Sequence, residues 1–390
     1  MTDTSQASYL NAEQIFDETA RENGLEAYVE DGIRQRFLEL VAKFNAIGKV
    51  PGDRIADAIE DMKKAVKIRL QVARDWIEYP EILEEEIVQP LFVIGNGRAG
   101  TTLTQSLLTL NEGHRTPRFI DAQHPSPPRG LDPKADAAAR RAADDYVDFT
   151  IAREPGLLVS HPYHDRGGMA EAEDEYIYSI DFNIVYPLHF QNVPTVPPTQ
   201  AAADPLAAFE FHKNMLKQLQ WKTPTKRWVG KGIRHQYLAG PLLQTFPDAV
   251  CVWIHRSPEE LIPSYLKITE LVYRPIKGSL YSLNVDNVVA GLKAGTDKIL
   301  TDPAIDDPRI THVRFSDMVK DPVAVIANVY ESRGIPFTAE YEKRIRDWLV
   351  DPANRVDRHG KFSHSAEEYG LDPAELKRLF ADYRERFLEG

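Results

Sequence analysis

The sequence has a single cysteine, Cys251, in 390 residues, and no apolar run close to the roughly 18 residues that a membrane-spanning helix requires. One cysteine excludes a disulfide framework and a zinc site built from cysteines. Its position in the apolar stretch AVCVWIH predicts a place in the core. The N-terminus lacks the basic and apolar segments of a signal peptide, so we expect a cytoplasmic protein without a membrane span.

Positive charge is outnumbered by negative charge. The chain carries 47 lysine and arginine residues against 59 aspartate and glutamate residues, which gives a formal net charge of −12. A field of that sign repels polyanions, so we expect no nucleic-acid partner, although a local basic pocket for one small anion remains compatible with it. The hydrophobic share of 43% and the charged share of 27% are typical of a soluble globular protein.

Residues 1–88 are predicted to form a helical N-terminal region. Five apolar residues recur every three or four positions, which is the spacing of one helix face: Ile55, Ile59, Met62, Val66 and Leu70. The Tyr79-Pro80 step is expected to interrupt this helix, because the residue before a proline disfavours the helical conformation. We expect the region to pack on the rest of the chain, 89–390, which we interpret as one α/β domain.

Beyond residue 89, short apolar runs alternate with helical stretches. The runs at 91–94, 228–230 and 249–255 are predicted strands, and each is followed by a turn and a helix. This alternation is typical of a P-loop-like parallel sheet flanked by helices on both faces. Ligands of such sheets bind outside the carboxyl ends of the strands, so the loops after these three strands form the candidate site.

The loop after the first strand, GNGRAGTT, has the features of a phosphate-binding turn. It matches the P-loop pattern at Gly95, Gly100 and Thr102, but Thr101 occupies the position of the lysine that contacts the β- and γ-phosphates. Backbone N–H groups at the helix N-terminus form an anion cradle, and Arg98 adds a charged donor. The predicted cradle comprises Gly97, Arg98, Ala99, Gly100, Thr101 and Thr102. The alternative is an ordinary strand-to-helix turn with a surface arginine.

A second candidate anion site follows the strand at 249–255. Arg256 comes just after the strand and Ser264 lies in the next helix, and an arginine with a hydroxyl group at a strand end suits an anionic ligand. Alternatively, these are a surface arginine and a serine that faces its own helix. The strand ends in His255 and not in the aspartate with which a P-loop NTPase holds Mg²⁺. The sequence therefore does not favour metal-assisted phosphoryl transfer, and we expect no metal.

Together, the two motifs resemble those of the sulfotransferases that use 3′-phosphoadenosine 5′-phosphosulfate (PAPS), in particular the divergent branch found in bacteria. GRAGTT is similar to the family's P-[RK]-S-G-T-T loop, with Gly97 in place of the proline and Ala99 in place of the serine. RWVGKGIRHQYL resembles the segment W-x-x-K-S-P-x-H, and TFPDAVCVWIHRSP resembles F-P-D-A-x-[FV]-x-x-x-H-R-[DN]-P. The similarity extends over residues 88–390, where the motifs follow one another in the family's order.

The resemblance implies a role for each candidate cation. Arg98 would contact the 5′-phosphosulfate directly, which explains why the charge lies inside the loop and not at the usual lysine position. Lys231 would lie beside the bridging oxygen that departs with the nucleotide. Arg256 and Ser264 would bind the 3′-phosphate. Fixed cations of this kind stabilise the charge of the leaving group without a metal.

The resemblance also implies a general base, because a hydroxyl acceptor loses its proton as it attacks sulfur. Relatives use either a histidine just after the lysine motif or a carboxylate. Ile233 stands at that histidine position, so the first choice is Asp121, whose segment is similar to one that carries an acidic residue in the family. The rival bases are His124, His161 and His164. Glu173 and Glu175 are interpreted as a solvated helix face.

The expected function is in-line transfer of a sulfuryl group from PAPS to a hydroxyl group of a small, hydrophobic acceptor. Six aromatic residues either line an apolar acceptor cleft or pack in the core: Tyr163, Tyr176, Tyr178, Phe182, Tyr186 and Phe190. Two alternatives stay open, namely a P-loop small-molecule kinase and a nucleotide-binding protein of the same family without turnover. The sequence predicts neither the identity of the acceptor nor the oligomeric state.

Overall fold

The computed structural model describes residues 6–186, 189–195 and 204–389. The strands in these ranges are β1 (Leu91–Ile94), β2 (His114–Arg115), β3 (Arg227–Gly232), β4 (Val250–His255) and β5 (Ile310–Arg314). They form one parallel sheet in the order β2-β3-β1-β4-β5. The three strands predicted from the sequence are therefore confirmed, and they occupy the centre of the sheet.

Helices cover most of the remaining chain. Within the described residues they are α1 (Ala12–Glu22), α2 (Asp31–Ile47), α3 (Ile55–Glu78), α4 (Thr101–Thr109), α5 (Phe119–Gln123), α6 (Pro133–Arg153), α7 (Gly156–Ser160), α8 (Asp174–Tyr178), α9 (Pro205–Gln220), α10 (Ala239–Thr245), α11 (Pro258–Lys277), α12 (Val285–Thr301), α13 (Phe315–Lys320), α14 (Pro322–Glu331), α15 (Ala339–Val350), α16 (Pro373–Leu379) and α17 (Ala381–Phe387). Several begin at a proline that follows an aspartate cap, an arrangement that satisfies the first N–H groups of a helix.

Both faces of the sheet are buried, because successive side chains of a strand point to opposite faces and each face is apolar. On one face, Phe92 and Trp253 pack with residues of α9 and α10. On the other face, Val93 and Val252 pack with residues of α4, α11 and α14. Cys251 is fully buried in β4, as predicted. This arrangement confirms the predicted parallel sheet with helices on both faces.

The N-terminal helices form an apolar cluster of their own. The predicted face of α3 is buried or half-buried in it: Ile55, Ile59, Met62, Val66 and Leu70. The helix ends at Glu78, just before the Tyr79-Pro80 step. The cluster also contains residues from later in the chain, Phe182, Val185, Phe190, Val193 and Ile276. The N-terminal region therefore packs on the segment that follows α8.

The parallel strands bring three loops to one edge of the sheet. At the carboxyl end of β1, Ile94 pairs with Gly232 of β3 on one side and with Trp253 of β4 on the other. The loops that begin at Gly95, Ile233 and Arg256 consequently emerge side by side. This edge contains the candidate site.

Candidate active site

The turn between β1 and α4 is tight at two glycines. Gly95 has a φ of 148°, and a Cβ atom there would lie 2.7 Å from the carbonyl oxygen of Ile254. Gly100 has a φ of 92°, and a Cβ atom there would lie 2.7 Å from the ring of Phe315. Both positions therefore require glycine. Gly97 does not, because the nearest atom to a Cβ there would be 3.6 Å away, which is an ordinary contact.

Arg98, in the middle of this turn, is a half-buried cation whose partners are neutral. Its Nε donates to Ser264 Oγ at 3.1 Å, its Nη1 donates to the Ser160 carbonyl oxygen at 3.1 Å, and its guanidinium lies 4.8 Å from the centre of the Phe362 ring. Burial lowers the pKa of Arg98 to about 10, so the side chain keeps its charge at neutral pH. Its φ of 73° is uncommon outside glycine, and such conformations are enriched at functional sites. Among the described residues it forms no ion pair with a carboxylate.

Arg256, which follows β4, belongs to the same group. Its Nη1 donates to the Arg98 carbonyl oxygen at 2.8 Å, and its guanidinium lies 4.5 Å from the centre of the Phe315 ring. Its Nε lies 3.4 Å from an oxygen of Glu260, a side chain that is largely exposed. The structure thus brings Arg98, Arg256 and Ser264 together, so the two predicted anion sites are contiguous.

The remaining cradle residues lie at the N-terminus of α4. No side chain of the described residues caps this helix, so the N–H groups of its first turn can bind an anion. Ala99 and Thr101 are buried. Thr102 is half-buried, and its hydroxyl group accepts a hydrogen bond from Lys231 Nζ at 3.3 Å.

Lys231 lies near the carboxyl end of β3 and is almost fully buried, with 2% of its surface exposed. Its Nζ donates to Glu173 Oε1 at 2.8 Å. Although burial opposes the charged form, the adjacent Glu173 carboxylate raises the pKa of Lys231 above its usual value. The lysine is therefore protonated at neutral pH, and it links the cradle, through Thr102, to a carboxylate.

Glu173 is the residue that the sequence analysis missed. Its Oε1 accepts from Lys231, and its Oε2 accepts from the Tyr186 hydroxyl group at 2.9 Å. The interpretation of Glu173 and Glu175 as a solvated helix face is wrong, because Glu175 is fully buried and only 18% of the Glu173 side chain is exposed. Burial, with a contribution from Glu173, raises the pKa of Glu175 to about 8. The available signal was the run EAEDEYIY, in which acidic residues directly precede apolar ones.

The next residue, Asp174, packs against β3 and so determines the position of Glu173. The Asp174 carboxylate is fully buried, 3.5 Å from Nε2 of His212 and 3.5 Å from Nε2 of His235. A Cβ atom at Gly230 would collide with this carboxylate and would lie 2.6 Å from the ring of Phe92. Glycine at 230 is therefore what allows the start of α8 to approach the strand that carries Lys231.

We expect Gly230→Ala to lower the free energy of unfolding by about 1–3 kcal/mol, as overpacking of a core does, and to lower kcat because it displaces Glu173. Chemical denaturation and steady-state kinetics measure the two effects. The control is Gly240→Ala in α10, where a Cβ atom meets nothing within 4 Å; it should change stability by less than about 1 kcal/mol. Equal stability and kcat in Gly230→Ala and wild type would contradict this account.

Asp121 occupies a different environment from Lys231. Its Oδ2 accepts from the backbone N–H of Arg118 at 3.0 Å, which caps α5. Its Oδ1 lies 3.6 Å from Arg115 and 3.8 Å from Arg129, and only 2% of the residue is exposed. This carboxylate therefore caps a helix and lies near two arginines, and none of its described contacts is with Lys231.

Two of the three candidate histidines lie near the cations. His161 Nδ1 lies 3.0 Å from Ser160 Oγ, and burial, followed by the charge of Arg98, lowers the pKa of His161 well below its usual value. Burial, followed by the charge of Lys231, lowers the pKa of His164 to about 4. Burial, followed by the charge of Lys64, lowers the pKa of His124 to about 4 as well. All three are therefore neutral at pH 7.

Most of the aromatic residues considered for an acceptor cleft pack in the core. Tyr178 belongs to the cluster on one face of the sheet, and Phe182 and Phe190 belong to the cluster of the N-terminal helices. Tyr176 is also buried. Tyr163 and Tyr186 are half-buried, so these two are the members of the set that remain accessible beside Lys231 and Glu173.

The chain is similar in sequence and in fold to known sulfotransferases. A family model described as "Sulfotransferase family" matches residues 90–339. The omega-hydroxy-beta-dihydromenaquinone-9 sulfotransferase Stf3 of Mycobacterium tuberculosis is 22% identical over 331 residues, which are 73% of this chain and 78% of that protein. The crystal structure of sulfotransferase STF9 from Mycobacterium avium is similar with a TM-score of 0.76 and 26% identity, over 97% of each chain. Sulfotransferase STF1 from M. tuberculosis shares the fold, with a TM-score of 0.75 and 19% identity over 97% of this chain and 100% of its own.

None of the helices in the described residues combines the length and the apolar character that crossing a membrane requires. In the same residues, no group of three or more histidine, cysteine, aspartate or glutamate side chains is arranged to hold a metal ion.

Proposed function

The chain belongs to the sulfotransferase family, and from this premise we propose that it transfers a sulfuryl group from PAPS to a hydroxyl group of a small, hydrophobic acceptor. The observation that carries the proposal is the arrangement of Arg98. A half-buried guanidinium with neutral partners, bonded to Ser264 and adjacent to Arg256, is suited to an anionic ligand. The uncapped N-terminus of α4 adds backbone donors to the same place.

We assign the nucleotide's two anionic ends to the two parts of this group. Arg98, Thr102 and the first N–H groups of α4 would hold the 5′-phosphosulfate. Arg256 and Ser264 would hold the 3′-phosphate. Because these parts are contiguous, one nucleotide can contact both without a large change in the protein.

Lys231 and Glu173 would perform the transfer. Glu173 would accept the proton of the acceptor hydroxyl as its oxygen forms the new bond to sulfur. Lys231 would stabilise the negative charge that the bridging oxygen gains as its bond to sulfur breaks. The products are a sulfate ester, 3′-phosphoadenosine 5′-phosphate and a proton on Glu173, which is later released to water.

We prefer Glu173 to Asp121 as the base on geometric grounds. Glu173 contacts Lys231, and part of its side chain is open to solvent, so an acceptor hydroxyl group can reach it. Asp121 is engaged by Arg118 and is almost fully buried. His161 and His164 are near the site, but among the described hydrogen bonds of Lys231 none is to either histidine.

The acceptor is proposed by class only. The name of the mycobacterial relative Stf3 describes a hydroxylated menaquinone derivative as its substrate. The half-buried rings of Tyr163 and Tyr186 beside Glu173 suit an apolar alcohol or phenol. We therefore propose a hydrophobic hydroxyl compound as the acceptor.

A thermal-shift experiment tests the nucleotide assignment. We expect 3′-phosphoadenosine 5′-phosphate to raise the melting temperature more than Mg-ATP does, because only the former carries a 3′-phosphate for Arg256. Stronger stabilisation by Mg-ATP would favour a P-loop kinase. Release of 3′-phosphoadenosine 5′-phosphate with a panel of alcohols and phenols would then separate an active transferase from a protein that only binds the nucleotide.

Arg256→Ala is expected to weaken the binding of 3′-phosphoadenosine 5′-phosphate by about 1.5–3 kcal/mol, the value of a hydrogen bond to a charged group. Titration calorimetry measures it. The control is Arg346→Ala, which removes an exposed arginine that pairs with Glu342 within α15, and it should leave the affinity unchanged. Equal affinities for wild type and Arg256→Ala would remove Arg256 from the nucleotide site.

A further inference from the structure

The carboxylate of Glu173 is held from two sides. Lys231 donates to Oε1 at 2.8 Å, and the Tyr186 hydroxyl group donates to Oε2 at 2.9 Å. Two donors on different oxygens fix the plane of a carboxylate, which a single contact does not. The orientation of Glu173 therefore depends on where the chain places Tyr186.

Tyr186 is a suitable donor because its proton stays on the phenol. Burial, followed by the Glu173 carboxylate, raises the pKa of Tyr186 well above its usual value. Its ring lies 4.2 Å, centre to centre, from the ring of Tyr176, which packs in the core. The hydroxyl group consequently has a fixed direction.

The segment that carries Tyr186 is irregular and needs an external anchor. After α8 the chain makes a short 3₁₀ turn, Ser179–Asp181, and Phe182 then adopts a φ of 66°. Beyond that turn, residues 182–186 form neither a helix nor a strand. Such a segment has few hydrogen bonds of its own, so its position is set by the groups that pack around it.

Asp181 provides the anchor through two arginines of the N-terminal helices. Its Oδ1 accepts from Arg36 Nη2 at 2.6 Å and from Arg69 Nε at 2.7 Å, and its carbonyl oxygen accepts from Arg36 Nε at 2.9 Å. Arg36 lies in α2 and Arg69 lies in α3. Asp181 and Arg69 are both nearly fully buried, so loss of Asp181 would leave the buried charge of Arg69 without its ion-pair partner.

We propose that Tyr186 is a positioning residue that orients Glu173, and that the ion pairs of Arg36 and Arg69 with Asp181 hold Tyr186 in place. This inference rests on the proposed function, in which Glu173 is the base. It makes the N-terminal helices part of the catalytic apparatus, since they determine the direction of a carboxylate to which none of their described side chains is hydrogen-bonded.

The positioning role of Tyr186 is tested by Tyr186→Phe, which keeps the ring and removes the hydroxyl group. We expect kcat to fall about 10-fold, the effect of one lost hydrogen bond to a charged group. The dissociation constant for 3′-phosphoadenosine 5′-phosphate and the melting temperature should stay at wild-type values, which separates positioning from folding. The matched control is Tyr28→Phe, which removes a tyrosine–glutamate bond of 2.7 Å to Glu78 at the surface and should leave kcat unchanged.

The role of the Asp181 ion pairs in holding Tyr186 is tested by Arg36→Met, alone and combined with Tyr186→Phe. Arg69 remains to balance Asp181, so the variant should fold, and kcat should fall several-fold. If Arg36 acts through Tyr186, the double variant should be no slower than Tyr186→Phe alone. Arg34→Met on the same helix, which removes an exposed pair with Asp17, is the control and should behave as wild type.

Each failure has a distinct pattern. Wild-type kcat in Tyr186→Phe, together with an inactive Glu173→Gln variant, would overturn the positioning role and leave the proposed function intact. Multiplicative losses in the double variant would overturn the link through Arg36. Full activity of Glu173→Gln would remove the base assignment itself, and with it the premise of this inference.

Discussion

Lys231→Ala should lower kcat about 10²–10³-fold, the effect of removing one preorganised donor to a developing oxyanion. The binding of 3′-phosphoadenosine 5′-phosphate should weaken much less, because the charge that Lys231 meets develops as the bond to sulfur breaks. Single-turnover kinetics with PAPS and a reactive phenol, together with calorimetry on the product nucleotide, separate the two quantities. A loss in affinity as large as the loss in kcat would mean that Lys231 only binds the nucleotide.

The control for Lys231→Ala is Lys134→Ala, which truncates an exposed lysine in the first turn of α6. It should leave both kcat and affinity unchanged. A folding defect would be visible as a lower melting temperature, because the truncation leaves Glu173 without its cation. Unchanged turnover in Lys231→Ala would exclude this lysine from the mechanism.

The central strands were predictable because their sequence signals are local. The run at 91–94 coincides with β1, and the run at 249–255 differs from β4, Val250–His255, by one residue. Both are continuous apolar runs bounded by turn residues, which is typical of buried parallel strands. The edge strand β2, His114–Arg115, was not predicted, because it has two polar residues and exists only through its pairing with β3.

The positions of the proposed anion-binding residues were predictable for the same reason. Arg98 and Arg256 directly follow strands, and parallel strands place such positions at one edge of the sheet. The sequence did not show that Ser264 would contact Arg98, because that distance depends on how α11 packs. The structure adds that the two candidate anion sites are in contact with each other.

Glu173 was not predictable in this way, because it follows no strand. It reaches Lys231 through the packing of α8 on β3, which depends on the absence of a side chain at Gly230. The anchoring of Asp181 by Arg36 and Arg69 joins residues more than 100 positions apart. Patterns of spacing along a chain do not encode such contacts, and a similarity of motifs directed attention to Asp121 instead.

Glu173→Gln should lower kcat by about 10²–10⁴-fold, the usual contribution of a general base, and should leave nucleotide affinity near the wild-type value. The amide keeps the size of the side chain and still accepts one hydrogen bond, so the fold should survive. Steady-state kinetics and the melting temperature measure the two effects. The decisive comparison is Asp121→Asn, assayed in parallel.

Asp121→Asn should show the opposite pattern. Its carboxylate caps α5 and lies near Arg115 and Arg129, so neutralising it should lower the melting temperature while kcat per folded molecule stays within a few-fold of wild type. If Asp121→Asn loses turnover and Glu173→Gln keeps it, the base is Asp121 and not Glu173.

The physical reason to expect Glu173 as the base lies in the Lys231–Glu173 pair. When Glu173 takes the acceptor's proton, its negative charge disappears, and Lys231 loses its counterion at the moment when the leaving oxygen becomes negative. The proton transfer and the stabilisation of the leaving group would thus be coupled through one ion pair, a coupling that Asp121, bound to other partners, does not offer.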